Sequence, residues 1–160
     1  MLVTVWRHGE AAPGRPDRER RLTERGHAEL RRGVAGYVTA LASRGLPPPE
    51  ALHASRWQRT LQTAGYLAEA LALTTEEADA LIPGADAQAV EALLVGLPAA
   101  AHRVLVSHQP LVSELVDRWL GEAGRVPALS PGAYAVLEAE VFAPGCASIC
   151  FWAAPPAYGL

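Results

Sequence analysis

Lysine is absent from this 160-residue chain, so all 14 of its basic residues are arginines. No apolar run approaches the ~20 residues that a membrane-spanning helix needs. The N-terminus also lacks a basic region followed by an apolar stretch, and we therefore expect no signal peptide. These absences predict a protein that works in the cytoplasm and does not bind a membrane.

Cysteine is scarce, with only Cys146 and Cys150 present. Both lie in the segment GCASICFW, which has the pattern of a β-strand, and four strand residues span ~13 Å, too far for a disulfide between them. We predict two reduced thiols in the core, as is usual in the cytoplasm. Since no histidine pair lies nearby, we expect no metal site.

The remaining composition is that of an ordinary globular protein. Half of the residues are hydrophobic and 19% are charged, and 160 residues suffice for one domain with a buried core. We predict a single domain over residues 1–160. The net charge of −3 gives no reason to expect nucleic-acid or membrane partners. Any anion site must therefore be a local cluster of arginines.

Strand and helix patterns alternate along the chain. We predict strands at 2–6, 51–54 and 103–107 and in the segments YAVLEAEV and SICFWA, and helices at 24–44, 59–71, 87–96 and 110–120. A brief edge strand is expected within 72–85, and the tail PPAYGL is expected to be loose. This alternation predicts an α/β fold, a three-layer α/β/α sandwich with a largely parallel central sheet.

Polar residues follow three of the predicted strands. The first strand ends at Arg7 and His8, the second at Ser55 with Arg59 just beyond, and the buried strand VLVS at His108. In a parallel α/β sheet the ligand site lies beyond the carboxyl ends of the strands. We therefore expect these residues, which are far apart in the sequence, to meet at one edge of the sheet.

Two histidines among arginines suit phosphoryl transfer. Arginine offers a planar pair of donors that matches phosphate oxygens, and a neutral histidine offers a ring nitrogen as nucleophile. Neighbouring guanidinium charges favour the neutral imidazole. Positioning and charge neutralisation do most of the work in this chemistry. The sequence contains no glycine-rich nucleotide loop, serine elbow or cysteine nucleophile that would suggest another reaction.

Four ordered segments resemble the histidine phosphatase superfamily, which has the phosphoglycerate-mutase-like fold. These segments are RHGE at 7–10, LTERG at 22–26, SRWQRTLQTA at 55–64 and VLVSHQP at 104–110. The resemblance covers the chain from Val3 to about Leu120. The chain length and the segment LIPGAD most resemble the small SixA-like branch, the phosphohistidine phosphatases.

The resemblance assigns a role to each matching residue. It implies that His8 attacks phosphorus and becomes phosphohistidine, while Arg7, Arg59 and His108 bind the equatorial oxygens and water then releases phosphate. Arg20 matches an arginine of SixA-like proteins and is expected either as a fourth phosphate ligand or as one solvated charge of the segment RPDRERR. The resemblance implies no cofactor and no metal.

Other polar residues are expected to be structural. Thr23 is predicted to cap a helix, and Gln62 and Thr63 to support the helix that carries Arg59. The histidines without a motif partner are His27, His53 and His102.

One family feature has no clear counterpart. Larger members carry a carboxylic acid before the third helix that protonates the leaving oxygen, and the best match here is Asp86, whose alternative role is a helix N-cap. Asp79, Glu76 and Glu77 match less well. An enzyme that cleaves phosphohistidine tolerates the loss of this acid, because its leaving group is an imidazole.

Three functions follow from these observations. The first is a phosphohistidine phosphatase acting on a signalling protein, such as a histidine phosphotransfer domain. The second is a phosphatase or mutase for a small phosphate ester, although such enzymes are typically longer, with a lid insertion for which this chain has little spare length. The third is a phosphoryl-binding module without activity, which retention of all four motif residues argues against.

Overall fold

A six-stranded sheet forms the centre of the computed structural model, which describes residues 1–159. The strands are β1 (Leu2–Arg7), β2 (Ala51–Ala54), β3 (Thr75–Glu77), β4 (His102–Ser107), β5 (Tyr134–Glu138) and β6 (Ser148–Ala153), in the spatial order β3-β2-β4-β1-β5-β6. The pairs β2–β3, β2–β4 and β1–β4 are parallel, and β1–β5 and β5–β6 are antiparallel. The predicted α/β fold with a largely parallel sheet is confirmed.

Four helices pack against this sheet. They are α1 (Glu24–Ser43), α2 (Gln58–Leu71), α3 (Ala87–Gly96) and α4 (Leu111–Leu120). Thr23 caps α1 by accepting a hydrogen bond from the amide of Gly26, and Asp86 caps α3 by accepting one from Ala89, as the sequence predicts. Within the described residues, no helix combines the length and apolar character needed to cross a bilayer.

The core divides into two layers because successive side chains of β1 point to opposite faces of the sheet. On one face, the indole of Trp6 stacks on Tyr134 with ring centroids 4.4 Å apart and meets Tyr37 edge-on at 5.2 Å. On the other face, Val3 and Val5 pack in the cluster that includes Trp119. Burial on both faces explains why β1 is an uninterrupted apolar run.

Two expectations about the end of the chain are wrong. The tail is docked within residues 155–159, because Tyr158 is buried and its hydroxyl donates to the carbonyl of Gly132 at 3.0 Å; Leu160 lies outside the described residues. A side chain at Gly33 would clash with this ring, with a Cβ only 2.4 Å from Cζ of Tyr158. Cys146 is exposed and precedes β6, so it is not a core thiol, whereas Cys150 is half-buried and packs against the edge of the core; both are free, as predicted.

Replacing Tyr158 with Phe tests the docked tail. The variant keeps the ring but leaves the carbonyl of Gly132 without this donor, so we expect the free energy of unfolding to fall by about 1 kcal/mol in urea titrations. Tyr158→Ala, which also removes the packed ring, is expected to cost more. Equal stability of all three proteins would show that the tail is not docked.

Candidate active site

The register of the central strands brings the two motif histidines together. Parallel pairing of β1 with β4 places Arg7 opposite Ser107, so that His8 and His108 leave the sheet side by side. The amide of His8 donates to the carbonyl of Ser107 at 3.1 Å, and the two imidazole centroids lie 5.2 Å apart. Both histidines are buried.

His8 is held so that one ring nitrogen stays available. Its Nδ1 lies 2.7 Å from the carbonyl oxygen of Gly9, which can only accept, so Nδ1 carries the proton. Its Nε2 then presents a lone pair, which accepts a hydrogen bond from Nε of Arg59 at 3.3 Å. This is the tautomer that a nucleophilic Nε2 requires.

Gly9 is required at this turn because the backbone passes close to the core. A Cβ at this position would lie 2.8 Å from Cδ1 of Leu30. The amide of Gly9 donates to the hydroxyl of Thr63 at 3.0 Å. A neighbouring side chain, Gln62, accepts from the amide of Leu22 at 2.8 Å. Gln62 and Thr63 thus tie α2 to the segments around the histidine.

His108 is anchored from the neighbouring strand. Its Nε2 lies 2.8 Å from the hydroxyl of Ser55, at the end of β2, whereas its Nδ1 is buried without a hydrogen-bond partner. The indole of Trp57 meets the same imidazole edge-on, with centroids 6.2 Å apart. Of the two ring nitrogens of His108, only Nε2 therefore has a hydrogen-bond partner within the described residues.

Burial and positive charge keep both histidines neutral. Desolvation lowers the pKa of His8 to about 4; the hydrogen bond with Gly9 opposes this, and the positive charges of Arg59 and Arg7 add to it. Desolvation also lowers the pKa of His108 to about 3, with further lowering by His8 and Arg59. Both imidazoles are therefore uncharged at pH 7, with one proton on each ring.

The arginines surround this pair with unbalanced positive charge. Arg7 donates through Nη1 to the carbonyl of Leu129 at 2.9 Å, while its Nε is buried without a partner. Desolvation, followed by repulsion from Arg59, lowers the pKa of Arg7. An oxyanion bound here would weaken the repulsion between Arg7 and Arg59 and would accept a hydrogen bond from Nε of Arg7.

Arg59 and Arg20 reach the site from different segments. Arg59, in the first turn of α2, is buried, and its Nη1 and Nη2 donate to the carbonyl and the carboxylate of Asp17 at 2.9 and 3.1 Å. Arg20 donates through Nε to the carbonyl of Ala12 and through Nη1 to Asp17. The charge of Arg20 also contributes to the lowered pKa of His8. The structure thus brings Arg20 to the site with the other four.

Comparisons with known proteins show which solved structures this chain resembles. No protein-family model and no curated protein matches the chain. Among solved structures, the protein histidine phosphatase SixA in complex with tungstate is 27% identical, with a TM-score of 0.78 over 97% of each chain. The chain is thus a structural match, over nearly its whole length, to a SixA of the histidine phosphatase superfamily, and it has the histidine phosphatase fold.

Other solved structures share the fold of this chain. A protein assigned as the phosphohistidine phosphatase SixA from Agrobacterium tumefaciens is 22% identical, with a TM-score of 0.78 over 96% of this chain and 97% of its own. A mycobacterial glucosyl-3-phosphoglycerate phosphatase is 17% identical, with a TM-score of 0.66 over 96% of this chain and 98% of its own. Proteins with different substrates thus share the fold.

The candidate acids have partners other than the two motif histidines. Asp86 caps α3, accepting a hydrogen bond from Ala89 at 2.8 Å. Asp79 pairs with Arg56 at 3.1 Å, and Glu76 lies 3.5 Å from His53. Glu77 ends the edge strand β3 and is exposed. The resolved contacts link none of these carboxylates, within residues 1–159, to His8 or His108.

The remaining histidines lie outside the site. His102 is buried, with its Nδ1 bonded to Pro47 and its Nε2 2.8 Å from the hydroxyl of Thr4. His53 is buried beside Arg103, and His27 bonds to Tyr66. Across residues 1–159, His, Cys, Asp and Glu side chains form no group of three or more that could hold a metal ion.

Sequence reasoning missed Asp17 and Trp57. Neither residue is one of the named positions of the motif segments. Asp17 contacts Arg59 and the indole of Trp57, and these contacts depend on where the 3-10 turn Asp17–Glu19 lies relative to α2. The aspartate among the arginines of the segment RPDRER is the one signal in the sequence that could have indicated this contact.

A pH titration tests the neutral state of the two histidines. We expect ring-nitrogen NMR signals of His8 to report a proton on Nδ1 and none on Nε2 from pH 8 to 5, with protonation only near pH 4 for His8 and near pH 3 for His108. Because the unfolded chain binds these protons near pH 6.5, the free energy of unfolding is expected to fall as the pH drops from 7 to 4. Titration of either ring near pH 6.5 would contradict this electrostatic account.

Proposed function

We propose that this chain is a phosphohistidine phosphatase that acts on a phosphorylated protein side chain. Its structural match to histidine phosphatases supports a phosphatase, and the 27% identity with SixA over nearly the whole chain supports this branch. Two observations carry the proposal: Nε2 of His8 presents a lone pair, and Asp17, the carboxylate that contacts the arginines of the site, is held in its charged form by hydrogen bonds from Arg20 and Arg59.

His8 is the proposed nucleophile. In the first step its Nε2 forms a bond to phosphorus while the bond from phosphorus to the substrate nitrogen breaks, and the imidazole leaves. In the second step a water oxygen attacks phosphorus, the bond to Nε2 breaks, and phosphate is released. The hydrogen bond from Nδ1 to Gly9 keeps the ring in the reactive tautomer in both steps.

Arg7, Arg59, Arg20 and His108 are the proposed phosphate ligands. Nε of Arg7 is a buried donor without a partner, and an oxyanion would complete its hydrogen bonding. The guanidinium charges would neutralise the phosphoryl oxygens as they gain charge in the transition state. SixA was solved with tungstate, a phosphate-like oxyanion, which supports oxyanion binding by this fold.

The state of the carboxylates favours an imidazole leaving group over an alkoxide. The carboxylate connected to the site is Asp17. Burial acts to raise its pKa, but hydrogen bonds from Arg20 and Arg59 outweigh this and lower it. A charged Asp17 cannot supply a proton, and Asp86 is engaged as a cap. A phosphoramidate protonated on its own ring leaves as neutral imidazole and needs no acid from the enzyme.

The surroundings of the site suit a large substrate. Residues 8–23 form a short loop, tied across its base by the bridge between Ala11 and Leu22. Beside this loop lies a cleft of about 580 Å³ lined by Pro16, Asp17, Arg18, Arg56 and Trp57. The side chains of Asp17 and Arg56 are more than half exposed. Such an open rim admits a side chain on a protein surface and buries little of a small ester.

A direct comparison of substrates tests this function. We expect kcat/KM on a phosphohistidine-bearing phosphotransfer domain to exceed kcat/KM on p-nitrophenyl phosphate and on a panel of sugar phosphates. Asp86→Asn is expected to leave turnover of the phosphohistidine protein nearly unchanged, because Asp86 caps α3 and asparagine caps a helix equally well. His8→Ala provides the control that should abolish turnover of every substrate.

The opposite pattern would favour a small-metabolite phosphatase. In that case a phosphate ester would be cleaved far faster than the phosphohistidine protein, and Asp86→Asn would abolish this activity. Absence of turnover on every substrate would instead favour the non-catalytic binding module.

A further inference from the structure

Three N–H donors converge on one carboxylate at the mouth of the site. Oδ1 of Asp17 accepts from Nη1 of Arg20 at 3.1 Å, and Oδ2 accepts from Nη2 of Arg59 at 3.1 Å and from Nε1 of Trp57 at 3.3 Å. Two of these donors belong to the proposed phosphate ligands. The carboxylate therefore takes the position of an oxyanion on the guanidinium groups.

Every nitrogen of Arg59 is already engaged. Its Nε donates to His8, its Nη1 to the carbonyl of Asp17 and its Nη2 to the carboxylate of Asp17. A phosphoryl group that binds Arg59 through its terminal nitrogens must compete with this carboxylate. The negative charge of Asp17 also offsets part of the positive charge that would attract phosphate.

We propose that Asp17 is a displaceable counter-ion that competes with the phosphoryl group for Arg59 and Arg20. The inference rests on the proposed role of these arginines as phosphate ligands. In this role Asp17 does not contact the reacting atoms. Its carboxylate sets how tightly the site binds the phosphate group of the substrate and the product phosphate.

The carboxylate of Asp17 can leave Arg59 while the backbone carbonyl of Asp17 stays bound to it. The backbone carbonyl holds Nη1 at 2.9 Å whatever the side chain is, and the 3-10 turn Asp17–Glu19 fixes its place. The side chain is 55% exposed, so the carboxylate can turn towards solvent while the carbonyl keeps Arg59 in position. Return of the carboxylate would then help to expel inorganic phosphate after each turnover.

Binding of inorganic phosphate to the free protein tests the proposal. Asp17→Asn removes the charge and keeps the shape and the backbone contact, so we expect the Kd for phosphate in calorimetric titrations to fall about threefold to tenfold. Asp17→Ala, which also removes the side-chain acceptor, is expected to lower the Kd at least as far. Glu19→Gln is the matched control, since it removes one negative charge from the same exposed turn, and its Kd is expected to change less than about twofold.

Kinetics supply a second readout. With p-nitrophenyl phosphate, Asp17→Asn is expected to lower KM and the inhibition constant of product phosphate together, while kcat does not rise. An unchanged or higher Kd for phosphate in both Asp17 variants, with melting temperatures equal to the wild type, would overturn the proposal and show that the carboxylate holds the arginines in place for phosphate. The phosphate titration needs no turnover, so its result is independent of whether phosphohistidine is the substrate.

Discussion

Arg7 and Ser107 face each other in the parallel pair β1–β4, and the geometry of the site follows from this register. The next residue of each strand is a histidine, so the two imidazoles emerge adjacent without any loop having to position them. A shift of one residue in this pairing would turn one histidine to the opposite face. Burial of β4 and of all of β1 except Arg7 helps to fix the register, because a slip would move apolar side chains out of their packed positions.

The cost of this arrangement is a cluster of buried groups whose hydrogen bonds are incomplete. Nε of Arg7 and Nδ1 of His108 have no partner, and the positive charges of Arg7 and Arg59 repel each other. Burial makes the histidines neutral, and Asp17 neutralises part of the excess charge. A bound oxyanion would accept from Nε of Arg7 and balance the remaining positive charge. A phosphate ligand is therefore expected to raise the free energy of unfolding.

Much of the fold could be predicted because its elements carry local signals. Thr23 and Asp86 mark helix starts, glycine and proline mark helix ends, and the apolar runs of β1 and β4 are unbroken. Arg7, His8, Arg59 and His108 could be predicted to meet because parallel strands bring their carboxyl ends to one edge. Docking of Tyr158 and the contact of Asp17 with Arg59 could not be predicted, since each depends on where an irregular segment lies in three dimensions.

Phosphorus NMR of the phosphorylated enzyme intermediate tests the central claim, that Nε2 of His8 is the nucleophile. The intermediate is trapped by rapid acid-free denaturation during turnover of a phosphorylated substrate, and the linkage is identified from the chemical shift and from its acid-labile, base-stable character. The account predicts phosphate on Nε2 of His8 in the wild type and none in His8→Ala. Phosphate on Nδ1, or a phosphorylated histidine that persists in His8→Ala, would contradict it.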